Sequence, residues 1–280
     1  MKEKHTTGWE KEKREHFNDI TENYDKIRPN YPKELFSDIL DYSKTNGNLQ
    51  PLAGGKEALE IGAGTGKATT PFLEAGYNVT AVEISYNMAD FLQNKFMNYK
   101  GFRTIVSSFE DAELENEKYD LIYAASAFHW VDPNIGCPKA FNLLKEGGVF
   151  ALFRYNFIPA DGDELYEEIQ NLYEKFYRLH YKSSTRPVKD EYGSPSQILH
   201  RFGFHDLAEF GFTGITTNLY EKSWLLDADE YIMLLNTLSD HRHLPDENRT
   251  ALYEGIRKAI IKHGGKIKES NTFQLYMGRK

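Results

Sequence analysis

Short apolar runs and amphipathic runs alternate through the first half of this chain. Residues 57–61 (EALEI), 78–84 (NVTAVEI), 102–108 (FRTIVSS), 119–126 (YDLIYAAS) and 148–156 (GVFALFRYN) are short, apolar and rich in β-branched or aromatic residues, so they read as buried strands. Between them, 67–75, 87–96 and 134–145 carry helical spacing, and Gly76, Gly147 and Gly148 stand where helices stop. Upstream, Pro32 suits the first turn of a helix whose apolar face is Leu35, Phe36, Ile39 and Leu40. Strands and helices in this rhythm predict an α/β fold, a doubly wound and mostly parallel sheet.

After residue 156 the rhythm changes. Residues 161–181 predict one long amphipathic helix, 182–195 a polar loop, 196–204 a short helix and 212–226 a long strand. Helices over 227–240 and 246–265 and a last strand over 272–280 follow. The expected organisation is an N-terminal segment or lid at 1–32, a Rossmann-like core at 33–156, a helical insertion at 157–204, and a C-terminal part at 205–280 that completes the sheet and adds helices.

Composition narrows the function. The 280 residues carry 42 acids against 34 bases, a net charge of -8, which argues against a general nucleic-acid binder. The single cysteine, Cys137, allows no intrachain disulfide and no cysteine-rich metal site. No apolar run approaches the roughly 20 residues of a membrane span, and the charged N-terminus does not look like a signal peptide. The expectation is a cytoplasmic protein with no membrane partner. The pair His241 and His243 is read as exposed rather than as a metal site, and no metal is expected.

The chemistry concentrates in LEIGAGTGKATT, residues 59–70. A P-loop needs four residues between its glycines and a hydroxyl after the lysine. Here Gly62 and Gly66 enclose three, and Ala68 follows Lys67. A dinucleotide loop needs a third glycine where Lys67 stands. A plain tight turn is the bland alternative. The remaining reading is an acid followed by alternate glycines: Glu60, Gly62, Gly64 and Gly66. An acid at that strand tip disfavours a phosphate and favours an ammonium or sulfonium group. Glu83 ends the next strand, where a carboxylate can accept from both hydroxyls of a ribose. A cationic, ribose-bearing ligand without phosphate describes S-adenosyl-L-methionine.

These stretches, with VTAVEISYNMADFL, YDLIYAASAFHWVD and AFNLLKEGGVFALF, resemble successive motifs of class I S-adenosylmethionine-dependent methyltransferases. The likeness is nearest to a small-molecule branch that includes trans-aconitate and related carboxyl methyltransferases. Phe128-His129-Trp130 and the segment Tyr24, Arg28, Pro29, Tyr31, Pro32 match features of that branch. The resemblance covers residues 17 to 156 and implies a seven-stranded sheet with an N-terminal helical lid. It implies that Glu60, Gly62, Gly64, Thr65 and Gly66 hold the methionine end and Glu83 the ribose. Ile84 and Met88 would flank the adenine, with Ser108 and the Phe109 amide at its edge. The backbone at Ala124 and Ala125 would line the methyl donor, and Tyr24 and Arg28 would close over it.

His129 is the candidate catalytic residue, as a base or as an orienter of the acceptor; the alternative is a packing and capping role. Trp130, Arg154, Tyr155, His241 and Arg242 are candidate substrate contacts. The fourth strand lacks the Asn/Asp-Pro-Pro-aromatic tetrad of enzymes that methylate base amino groups, which points to a small-molecule acceptor, carboxylates included. The competing functions are a non-catalytic S-adenosylmethionine binder and an NAD(P)-dependent oxidoreductase. Oligomeric state is not readable from the sequence.

Overall fold

The computed structural model describes residues 21–44, 56–158, 162–182 and 206–280. The expected helix at 196–204 and the polar loop at 183–195 lie outside the described residues, as do the first 20 residues of the expected lid.

Seven strands form one sheet in the order β3-β2-β1-β4-β5-β7-β6. They are β1 (Lys56–Ile61), β2 (Tyr77–Glu83), β3 (Phe102–Val106), β4 (Tyr119–Ala125), β5 (Leu144–Phe157), β6 (Thr213–Asp227) and β7 (Lys266–Arg279). The first five pair in parallel, and β7 runs antiparallel between β5 and β6. The order reverses between β1 and β4, and this switch point is where open α/β sheets bind ligands, outside the carboxyl ends of the strands.

Alternation along each strand feeds two cores. On one face Ala58, Ala81, Tyr123, Phe153 and Phe273 pack with Leu35, Phe36 and Ile39 of helix α2 (Lys33–Lys44), Phe72 of α3 (Thr69–Glu74) and Leu92 of α4 (Tyr86–Lys95). On the other face Leu59, Ile61, Ile122, Phe150 and Tyr276 pack with Cys137, Ala140 and Leu143 of α5 (Pro133–Leu143). Two helix starts carry side-chain caps: the Ser85 hydroxyl accepts the Met88 amide, and Asp132 accepts the Asn134 amide ahead of Pro133.

A third core sits apart from the sheet. Ile169 of α6 (Glu164–Tyr173) packs with Ala228 and Leu235 of α7 (Ala228–Leu235) and with Leu252, Ile256, Ala259 and Ile260 of α8 (Asp246–Lys262). The helices on either side of residue 205 therefore share one cap. The expected 161–181 helix begins as α6 and continues as a π-type turn over Glu174–Arg178. The expected 67–75 helix is shorter, because residues 64–68 are turn backbone. Strand β7 is longer than its apolar run, since it keeps pairing with β6 through the mostly polar residues 266–271. No described helix is long and apolar enough to cross a membrane.

Candidate active site

The carboxyl ends of β1, β2, β4 and β5 open into a cavity of about 560 Å³. Its floor is the loop after β1. Gly62, Gly64 and Gly66 all have positive φ, at 63°, 58° and 77°, a region open to glycine and strained for other residues. The three do different things. A Cβ on Gly62 would lie 2.6 Å from the Ala127 Cβ, and one on Gly66 would lie 2.5 Å from the Phe96 ring. A Cβ on Gly64 would meet nothing nearer than Met88 Sδ at 4.0 Å. Gly62 and Gly66 are packing glycines, whereas Gly64 turns its open side to the cavity.

Glu60 is buried beneath this loop at 1% exposure. Its Oε2 accepts from the Thr69 hydroxyl at 2.5 Å and the Tyr123 hydroxyl at 2.9 Å. Its Oε1 is buried without a partner. Burial drives the carboxyl up to about 7, against the two hydroxyl bonds that favour its charge. Glu83 sits at the tip of β2 with Oε2 accepting the Gly64 amide at 2.7 Å and Oε1 accepting the Ser85 amide at 2.8 Å. Burial raises its pKa too, opposed by those backbone donors. An ionised carboxylate has about four acceptor positions, so Glu83 braces the loop and keeps capacity for further donors.

The described end of the N-terminal segment lines the cavity from the other side. Helix α1 (Thr21–Ile27) carries Tyr24 to the wall, and Arg28 follows it. The Arg28 guanidinium donates to the Tyr155 hydroxyl and to the Thr237 carbonyl, each at 2.7 Å, and stacks over the Tyr24 ring at 5.0 Å. One side chain thus ties α1 to β5 and to the cap. Lys95 adds a second tie, donating to Asp25 and to the Thr65 carbonyl at 2.9 Å.

The far wall carries His129, Trp130, Arg154, Tyr155 and Asn156. His129 lies in a short 3-10 turn, Phe128–Trp130, after β4. Its ring opens to the cavity, and the enclosing walls together with the Arg154 charge hold its pKa down to about 3. Burial lowers Arg154 to about 10, so it remains a cation at neutral pH. The side chain of Arg154 donates to Asn156 Oδ1 at 3.1 Å.

Sixteen of the sequence candidates line this one cavity: Tyr24, Arg28, Glu60, Gly62, Gly64, Thr65, Glu83, Ile84, Met88, Ser108, Phe109, Ala125, His129, Trp130, Arg154 and Tyr155. Four do not. Gly66 faces inward as described. Ala124 lies in the core on the α5 face, because alternation along β4 turns it away from Ala125. His241 lines a second cavity, and Arg242 lines neither. The expectation that His241 is exposed is corrected: it is 2% exposed, among Tyr173, Tyr177 and Tyr253. Ser108 donates its hydroxyl to Asp111 at 2.7 Å.

Several wall residues escaped sequence reasoning as site residues, among them Tyr31, Ser126 and Asp240. Tyr31 and Ser126 join hydroxyls at 2.8 Å on the wall, and Ser126 adopts φ 53° there, rare for a serine. Tyr31 lay in the N-terminal motif, so its signal was present. The strained Ser126 has none in sequence. Asp240 arrives from the cap by tertiary packing alone.

Residues 59–152 match the family model described as a methyltransferase domain. Over that stretch, about a third of its length, the chain is similar to methyltransferase domains. An uncharacterized methyltransferase of Mycobacterium tuberculosis is 31% identical over 129 residues, 46% of this chain and 47% of that protein. A malonyl-[acyl-carrier protein] O-methyltransferase of Pectobacterium atrosepticum is 26% identical over 144 residues, 47% of this chain and 54% of that protein. The match with such curated relatives spans about half their length. Among solved structures, one from Anaeromyxobacter dehalogenans, described provisionally as a type II methyltransferase, superposes with TM-score 0.59 at 19% identity, over 90% of this chain and 97% of that one. At that identity the likeness shows the fold, and the chain has the Rossmann-like sheet that was expected.

Proposed function

We propose that this chain transfers a methyl group from S-adenosylmethionine to a small-molecule acceptor. The observation that carries the proposal is the pair of buried carboxylates around one glycine loop. Glu60 holds an unpartnered oxygen at the methionine end, and Glu83 holds spare acceptor capacity at the adjacent strand tip. Gly64 leaves its Cβ position open beside them. A buried polar atom without a partner costs about 1–3 kcal/mol, and an ammonium group would satisfy Glu60.

When bound, S-adenosylmethionine supplies a methyl carbon on a sulfonium, open to in-line displacement. The residues of this chain bind, align and exclude water. Glu60, Gly62, Gly64 and Thr65 hold the methionine end, Glu83 the ribose, and Ile84, Met88, Ser108 and Phe109 the adenine. Tyr24 and Arg28 close the lid, with Arg28 fixed on Tyr155 and Thr237. His129 is neutral at physiological pH, so it orients the acceptor through its ring nitrogens rather than attracting it by charge. Arg154, cationic beside it, suits a carboxylate acceptor, a nucleophile that needs no general base. That wall supports the carboxyl branch that the motifs resemble.

Titration calorimetry with S-adenosylmethionine and S-adenosylhomocysteine, followed by a screen of carboxylates and other small nucleophiles for methyl uptake, tests the proposal. Binding without transfer to any acceptor would leave a ligand-binding role in place of an enzyme.

A further inference from the structure

A second cavity, of about 1330 Å³, lies between the cap and the ends of β5, β6 and β7. It shares Asn156, Phe157, Leu238 and Asp240 with the first cavity, so the two cavities adjoin. Among its lining residues Glu269 stands out. It is 7% exposed, on β7 opposite Trp224 of β6.

Among the described residues no hydrogen bond or ion pair reaches the Glu269 carboxyl. Lys222 sits on the same sheet face, paired with Asn271 one step along, and makes no ion pair with Glu269. Arg178, also lining the cavity, is engaged by Gln170 and Glu174. Burial alone lifts the Glu269 carboxyl to about 8. Protonation does not resolve its situation, since a neutral carboxyl still needs a donor and an acceptor opposite it. A buried charge is tolerated when a counter-ion pairs with it. The surroundings suit an organic cation. Tyr231 lines the same cavity and its phenol is pushed upward by burial and by the Glu269 charge, and Phe157 supplies a second ring at the boundary between the two cavities. Aromatic faces attract cations, adding to a carboxylate's pull.

We propose that the second cavity anchors a protonated amine or quaternary ammonium group of the methyl acceptor, with the Glu269 carboxylate as its counter-ion. This rests on the methyltransferase reading above. The reacting end of the acceptor then lies past Phe157, at the His129 and Arg154 wall, and the amine is the anchoring end. Acceptors of this class are aliphatic or aromatic amines long enough to span both cavities.

The test is calorimetry on the full chain with hexylamine, hexyltrimethylammonium and 1-hexanol at pH 7.5, before and after Glu269→Gln. S-adenosylhomocysteine is titrated in parallel. Both cations are expected to bind at least tenfold more tightly than the alcohol. Glu269→Gln should erase that difference while the affinity for S-adenosylhomocysteine stays within twofold. If that variant does not fold, Tyr231→Leu should weaken the cations several-fold and leave the alcohol unchanged. Equal binding of cation and alcohol, no binding of either cation, or a cation preference that survives Glu269→Gln would each overturn the amine site. Failure to bind S-adenosylhomocysteine would instead overturn the methyltransferase reading, and the two failures are read from separate titrations.

Discussion

The Glu83 carboxylate accepts the Gly64 amide at 2.7 Å, joining the tip of β2 to the glycine loop that follows β1. The same carboxylate accepts the Ser85 amide, so it fixes the loop and the start of α4 together. Its role in ligand binding is therefore double: it offers acceptor positions and it holds the loop in shape. Glu83→Ala should weaken S-adenosylhomocysteine binding by about 1–3 kcal/mol, roughly 5- to 150-fold. Glu83→Gln, which keeps an acceptor for one amide, should lose less. Calorimetry checks the order, and an alanine variant that binds like wild type would place the ribose elsewhere.

The three glycines should respond differently to substitution. Gly64→Ala carries the left-handed backbone cost of about 1–2 kcal/mol and meets only Met88 Sδ, at 4.0 Å, without a clash. It should fold and lose affinity, and Gly64→Val should fold without binding. Gly62→Ala and Gly66→Ala add clashes with Ala127 and with Phe96 and Leu92, so thermal melts should show these two as the least stable. Equal melting temperatures across the series would contradict the division into packing and cavity glycines.

Glu60 predicts a pH dependence with a definite sign. Its folded-state pKa, about 7, stands above the ordinary 4.5, so the native state keeps a proton that the unfolded chain releases. Its stabilising contribution is complete below about pH 4.5 and is lost as pH rises through 7. The loss amounts to about 3 kcal/mol from this group. Denaturant melts of the ligand-free protein should show stability falling over that window. Glu60→Gln should flatten its share of the fall and weaken S-adenosylmethionine binding at pH 8. A variant as pH-dependent as wild type would remove Glu60 as the source.

His129, held near 3 by its walls and by Arg154, stays neutral across the working range. The pH–rate profile for methyl transfer should show no inflection near 6.5 from this residue. His129→Ala should lower kcat more than it raises KM for the acceptor if the ring orients the nucleophile. A profile with an inflection near 6.5 that disappears in the variant would make it a titrating base instead.

The sequence was most informative where chemistry and periodicity coincide. Five parallel strands and the Glu60 to Glu83 frame were legible because buried strands write continuous apolar runs and the loop needs glycine at positive φ. The extent of β7 was not, since residues 266–271 are polar apart from Ile267 and pair through their backbone. Ala124 was misplaced for a related reason: adjacent strand residues face opposite sides, and the motif alone did not say which. His241 was read as exposed because a His-Arg-His run in a polar context carries no burial signal; the tyrosines of α6, the turn after it and α8 bury it. The strained Ser126, held by Tyr31 from 95 residues away, and the arrival of Asp240 from the cap depend on tertiary contacts that leave no local pattern.

The central claim is that the cavity beneath α1 holds S-adenosylmethionine. Titration calorimetry of the wild-type chain with S-adenosylhomocysteine, with NAD as the comparison ligand, tests it most directly. The account predicts one site per chain for S-adenosylhomocysteine, weakened roughly fivefold or more by Glu83→Ala, and no heat from NAD. Binding of NAD in place of S-adenosylhomocysteine would contradict it.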